Sequence, residues 1–193
     1  MKALTQDELL KVLKAASSSK RNHAMILLAF RHGMRVSEVC QLKMTDVDLA
    51  NRQITIRRLK GSLTSTQPLV DIPGQPLLSE LRMLKAWLVE RSTWQDRDGW
   101  VFPSQKGGCL TRFGARQMFQ AVCEEAGIPK AKAHFHTLKH ALGFVLAEQN
   151  TAIQVIQRTL GHKNVSSSAV YCQPTDETAS RIANDAILQA FKS

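Results

Sequence analysis

Apolar residues recur along most of this chain at three-to-four spacing, and only near its middle does the period fall to two. Thr5-Gln-Asp-Glu8 stands in front of Leu9, Leu10, Val12 and Leu13, a capping box ahead of an amphipathic helix. The run from Met25 to Phe30 predicts a second helix, stopped at His32-Gly33, after which Arg35-Val-Ser-Glu38 opens a new turn toward Leu42. Arg35 therefore falls at a helix junction. From Gln53 the pattern alternates: Ile54 and Ile56 are interleaved with Thr55 and Arg57, and Leu69-Val-Asp-Ile72 alternates again beyond a Ser/Thr-rich connection. These two stretches predict a hairpin with Lys60 close to its turn.

Leu77, Leu81, Leu84 and Leu88 return to helical spacing and predict a helix over 77–89. Trp100-Val-Phe102 predicts a short extended piece ended by Pro103, with a loop at Lys106-Gly-Gly108. Helices are predicted over 111–126, 136–148 and 152–160, with Gly127 and Gly161 as stops, and a short turn or helix over 165–171. In the segment 176–193, Ala179, Ile182, Ala183, Ala186, Ile187, Ala190 and Phe191 form a stripe that a last helix must bury. No repeat, low-complexity tract or interdomain linker interrupts this order. The expectation is one domain spanning 1–193, mostly α with a small antiparallel β-sheet.

Composition adds a partner. With 26 Lys and Arg against 16 Asp and Glu, the 193-residue chain carries a net charge of +10, and at 44% hydrophobic it can still bury a sizeable core. That balance points to a polyanion, nucleic acid first, although a ribosomal or membrane-surface protein would share it. Cys40, Cys109, Cys123 and Cys172 lack paired spacing and read as free thiols. The densest apolar run, 24–30, is short and internal, so neither a signal peptide nor a membrane span is read, and a cytoplasmic, nucleoid-associated protein is expected.

The chemistry gathers around the single tyrosine. Tyr171 stands nine residues after His162 of Leu160-Gly161-His162, and His136-Thr-Leu-Lys139-His140 lies one helix upstream. A phenol among cations suits nucleophilic attack on a phosphate, because Arg, Lys and His neutralise the phosphoryl oxygens while tyrosine attacks. Each residue also has a plainer reading: Arg35 paired with Glu38, Lys60 as solvated charge, His162 as a helix cap, Tyr171 as a core aromatic. His136 and His140 at i and i+4 would suit a metal, but no His-Glu-x-x-His glutamate accompanies them. Nor does the chain contain a Walker loop or a Gly-x-Ser-x-Gly elbow.

Order and spacing together separate these readings. Arg35-Val-Ser-Glu38, Lys60 in a hairpin, His136-x-x-Lys139-His140, Leu160-Gly161-His162 and Tyr171 follow the sequence order of the tyrosine recombinases of the phage integrase family, which the chain resembles from about Leu4 to Phe191. Arg58-Leu-Lys60, Ser65-Thr-Gln-Pro-Leu69, Ala86-Trp-Leu88, Trp100-Val-Phe102 and Gly143-Phe-Val-Leu-Ala147 look like the short fimbrial-switch DNA invertases. The resemblance implies site-specific DNA recombination, by inversion, integration or excision, through a 3′-phosphotyrosine intermediate. Tyr171 would be the nucleophile, Arg35, Lys139 and His162 would hold non-bridging oxygens, Lys60 would protonate the leaving 5′-oxygen, and His136 would assist proton transfer. Glu38 and His140 would orient this shell. Neither metal nor cofactor is implied.

Candidate contacts to duplex DNA are Arg57, Arg58, Lys106, Arg112, Arg116, Lys130 and Lys132. The family also implies a homotetramer on two DNA sites, assembled from monomers, with DNA-bending accessory proteins; the 176–193 helix, which must bury its stripe, docks either on its own domain or, as the family implies, in a neighbour. Two departures stand out. Lys139 occupies the position of the family's second arginine, and the chain is expected to begin at the catalytic domain without an N-terminal core-binding arm, either as a naturally short form or as a fragment. The first departure keeps open an alternative, a catalytically weakened DNA-binding regulatory relative; a type IB topoisomerase-like enzyme is a third reading.

Overall fold

The computed structural model describes residues 3–59, 64–94, 98–172, 180, 183–185, 187, 188, 190 and 191. Helix α1 (Gln6–Ala16) starts at the capping box read from the sequence: Thr5 Oγ1 accepts the Glu8 N–H, and the Glu8 carboxylate accepts that of Thr5. Helix α2 (Lys20–Arg31) is buried at every position from His23 to Phe30, because its residues there are apolar on all sides. It is the central rod, packed against α1, the short α3 (Val36–Cys40), α4 (Glu80–Arg91), α5 (Arg112–Glu125) and α6 (His136–Glu148). Two further helices, α7 (Ile153–Leu160) and α8 (Ser166–Ala169), lie in series behind α6. Trp87 of α4 is wholly buried, stacked on Phe102 and held by an Nε1–H bond to the Val101 carbonyl.

The sheet is antiparallel, ordered β1 (Val47–Asp48), β2 (Gln53–Ile56) and β3 (Ser65–Pro68). Its partner strand differs from the one read in the sequence. Ile56 pairs with Ser65 and Gln53 with Pro68, so the hairpin closes before Leu69-Val-Asp-Ile72. Strand β3 is an edge with neither face in the core, and so carries no apolar alternation; Leu69 instead follows it, buried, with its N–H on the Arg52 carbonyl. The helix expected from Leu77 begins at Glu80, preceded by a 3₁₀ turn over Pro76–Leu78.

Lys60, expected near the hairpin turn, lies outside the described residues, as do Ala179, Ile182 and Ala186 of the stripe expected for a last helix. The described residues 180, 183–185, 187, 188 and 190 are helical, and Ile187, Leu188 and Phe191 are exposed. Among the described residues no helix is long and apolar enough to cross a membrane.

Candidate active site

Five elements deliver the site. Arg35 is the N-cap of α3, where the turn after α2 gives it extended backbone, and its own cap is Glu38. The Glu38 carboxylate accepts the Arg35 N–H and the Arg35 guanidinium, each at 2.8 Å, the Arg58 guanidinium at 3.1 Å and the Leu59 N–H at 3.3 Å. Burial alone would raise the pKa of this carboxyl. Hydrogen bonds from Arg35 and the charges of Arg58 and Arg35 reverse that and hold it ionised, below its ordinary value.

Lys139, in the first turns of α6, is 1% exposed, and its ammonium donates to the Leu160 carbonyl at the end of α7. Burial, reinforced by the charges of Arg35 and Arg58, brings its pKa down to about 7. His162, in the turn after α7, is brought down to about 4, first by burial and then by Lys139, Arg35, Arg58 and His136. His136 is lowered too, by burial and then by His140, Lys139 and Arg35. Beyond burial, these depressions share a second cause: Arg35 and Arg58 bond a single carboxylate, Glu38, with Lys139 close by, so positive charge exceeds negative there. An anion placed there would relieve it. Beside the cluster, Arg35, His134, His136, Arg112 and Arg116 line a cavity of about 660 Å³ between α3, α5 and the start of α6.

Tyr171 follows α8 and lies 7% exposed across α6. Its hydroxyl is 2.9 Å from His140 Nδ1, its ring meets Phe144 edge to face, and the His162 ring lies parallel at 6.3 Å. Burial raises the phenol to about 12, so at neutral pH it is protonated. The close approach depends on Gly143: a Cβ there would stand 2.7 Å from the tyrosine ring carbons. His136 and His140 face each other edge to face, 4.6 Å between centroids. Among the described residues no three His, Cys, Asp or Glu side chains gather to hold a metal ion.

Of the candidate DNA contacts, Arg58 is a correction. Its side chain is fully buried and donates to the His32, Gly33 and Thr159 carbonyls as well as to Glu38, so it is part of the scaffold and cannot reach a duplex. It passes beneath Gly161, the left-handed C-cap of α7, where a Cβ would sit 2.6 Å from its Nε. Arg57 is 70% exposed and paired with Asp46, and Lys132 is paired with Glu8. Lys106, Arg112, Arg116 and Lys130 are exposed. Sequence reading missed two residues. Gly143 had a signal, a glycine inside a helical pattern. Ser168, whose hydroxyl meets His162, is one of three consecutive serines and had none.

The sequence pattern of the phage integrase family matches residues 2–178. The type 1 fimbriae regulatory protein FimB of Escherichia coli K12 is 36% identical over 172 residues, which cover 87% of this chain and 82% of FimB. The crystal structure of XerA recombinase superposes with a TM-score of 0.79 at 26% identity, over 95% of this chain and 64% of that one. XerH bound to its difH substrate, in a pre-cleavage complex, superposes with a TM-score of 0.77 at 23% identity, over 95% of this chain and 54% of that one. The chain thus spans most of FimB but less than two thirds of these Xer structures. A match of this extent, on a chain whose one tyrosine lies beside a cluster of Arg, Lys and His, shows that it belongs to the phage integrase family, the tyrosine site-specific recombinases.

Proposed function

We propose that this chain is a DNA invertase-like recombinase whose Tyr171 attacks the scissile phosphate of a duplex. The bond to the 5′-oxygen breaks, a 3′-phosphotyrosyl link forms, and the free 5′-hydroxyl of a second strand reverses the step. The carrying observation is that Arg35 and the buried Arg58 converge on the Glu38 carboxylate, with Lys139 and His162 within reach of their charge, next to the only tyrosine in the chain. Positive charge held in a half-buried site has little to reorganise when the pentavalent phosphate develops its negative charge. Arg35 and His162 donate to the non-bridging oxygens, and Lys139 adds charge from beneath. His140, on the phenol, and His136 beside it form the path by which the phenolic proton leaves. Lys60 protonates the departing 5′-oxygen.

The protonated, buried Tyr171 describes a resting site, and assembly is the natural trigger. A groove of about 500 Å³, lined by Leu9, Leu10, Phe30, Leu142, Val145 and Leu146, runs along α1, α2 and α6. The C-terminal segment of a second copy, with Ile187, Leu188 and Phe191 uncovered, is the occupant proposed for it, in a tetramer holding two duplexes. As this segment follows Tyr171 by few residues, docking it in a neighbour draws the tyrosine off α6. Arg112 and Arg116, exposed on the cavity wall, together with Lys106 and Lys130, bind the phosphates of the duplex. Such work places the protein in the cytoplasm, with the DNA.

Lys139 in the arginine position favours a second reading, a regulatory relative that binds without cutting. A nicked suicide duplex made from DNA flanking the chain's own gene separates them. Covalent capture by the wild type, lost in Tyr171→Phe with binding retained, is expected. Binding without capture by the wild type supports the regulatory reading and overturns the recombinase.

A further inference from the structure

His162 is neutral at ordinary pH, so only one of its ring nitrogens carries a proton, and the group facing the other nitrogen decides which. That group is Ser168. Its Oγ lies 2.9 Å from His162 Nδ1, the residue is completely buried, and among the described residues the hydroxyl has no other partner. If Nδ1 held the proton, the serine would accept it and leave its own hydroxyl hydrogen buried and unused. If the serine donates, both groups are satisfied and Nε2 carries the hydrogen.

The surrounding backbone fixes this arrangement at both ends. Ser168 N–H donates to the Val165 carbonyl at 2.7 Å, and the Ser168 carbonyl accepts the N–H of Tyr171 at 3.1 Å. On the other side, Gln157 Nε2 donates to the carbonyls of His162 and Lys163. One residue thus touches the histidine through its side chain and the nucleophile through its backbone.

We infer that Ser168 is a positioning residue for strand cleavage: its hydroxyl donates to His162 Nδ1, so that Nε2–H is presented to a phosphate oxygen as a hydrogen-bond donor. With the other tautomer a bare nitrogen lone pair would face that oxygen, and repulsion would replace a hydrogen bond. The inference rests on the recombinase reading for its role in cleavage, but the tautomer itself is a property of the free protein.

The test therefore has two arms on the full chain. Long-range proton–nitrogen NMR of the ¹⁵N-labelled free protein is expected to show His162 as the Nε2–H tautomer. Ser168→Ala is expected to give a mixture, and Ser168→Thr to restore the single form. On a nicked suicide duplex, Ser168→Ala is expected to slow covalent capture roughly tenfold or more, as loss of an outer hydrogen bond to a working histidine does, with DNA affinity unchanged. Ser168→Thr regains the rate, whereas Ser168→Val, equal in shape but without the hydroxyl, does not. An Nδ1–H tautomer in the wild type, or a Ser168→Ala variant with wild-type tautomer and rate, overturns the proposal, as does equal cleavage by the Thr and Val variants. A wild type that shows the Nε2–H form yet never captures DNA overturns the recombinase reading and removes the role in cleavage with it.

Discussion

Gly143 decides where Tyr171 rests. Its missing Cβ admits the Tyr171 ring onto α6, and Gly143→Ala puts a methyl 2.7–2.8 Å from three ring carbons. Alanine favours the helix by about 1 kcal/mol, but the clash costs roughly 1–3 kcal/mol unless the ring leaves, so the ring is expected to leave. Because the chain has one tyrosine, ultraviolet titration reads it alone. The midpoint, raised to about 12 by burial, should fall toward 10 in the variant, and an unchanged midpoint would show that the ring stays. Lys139 gives a second prediction at this scale. Folding lowers its pKa from 10.5 to about 7, so between those values the unfolded chain binds a proton that the folded one does not. Stability through this residue therefore rises with pH across that window, and below about 7 both states are charged and the cost is at its fullest. Lys139→Met should remove the rise and stabilise the fold near neutral pH, by on the order of a few kcal/mol at most. Urea unfolding of both proteins at pH values between about 7 and 10.5, with no difference in pH slope, would refute it.

Arg58 is the joint between elements. Its guanidinium ties the end of α2, the Glu38 cap of α3 and the end of α7, and so fixes Arg35 relative to the His162 turn. Arg58→Met keeps much of the volume but strands Glu38 and three carbonyls, and is expected to cost about 3–5 kcal/mol and most of the cleavage rate. Arg57→Met removes a 70% exposed guanidinium from the buried Asp46, whose carboxylate keeps the Lys43 N–H, and should cost less than Arg58→Met. Equal unfolding midpoints for the two variants would remove the joint from the account. The burial of Arg58 was legible: Ile54, Ile56 and Arg58 share parity, so the strand period that places the isoleucines inward places this arginine inward too. A basic composition drew it to the surface instead. The helices were legible because their apolar spacing and caps are local, as at Thr5 and Gly161. Strand β3 was not, since an edge strand with polar faces leaves no periodic mark. Ser168 was not either, because its role exists only once α8 folds it against His162.

Across the whole molecule, charge and exposed apolar surface support the assembly on DNA proposed above. A net charge of +10 suits a duplex, and the uncovered Ile187, Leu188 and Phe191 suit the groove between α1, α2 and α6 of another copy. Truncation after Thr175 should leave a folded, DNA-binding chain that no longer assembles into a recombining complex, as read by gel mobility and strand-exchange assays. Wild-type exchange by the truncated chain would show that the segment is neither tether nor trigger. Beneath every such step lies the claim that Tyr171 becomes covalently joined to DNA. Mass spectrometry of the adduct trapped on a nicked suicide duplex, after nuclease trimming, measures that directly: a nucleotide 3′-phosphate on Tyr171 is the expected result, and a nucleotide on any other residue, or no adduct from a chain that binds the duplex, contradicts it.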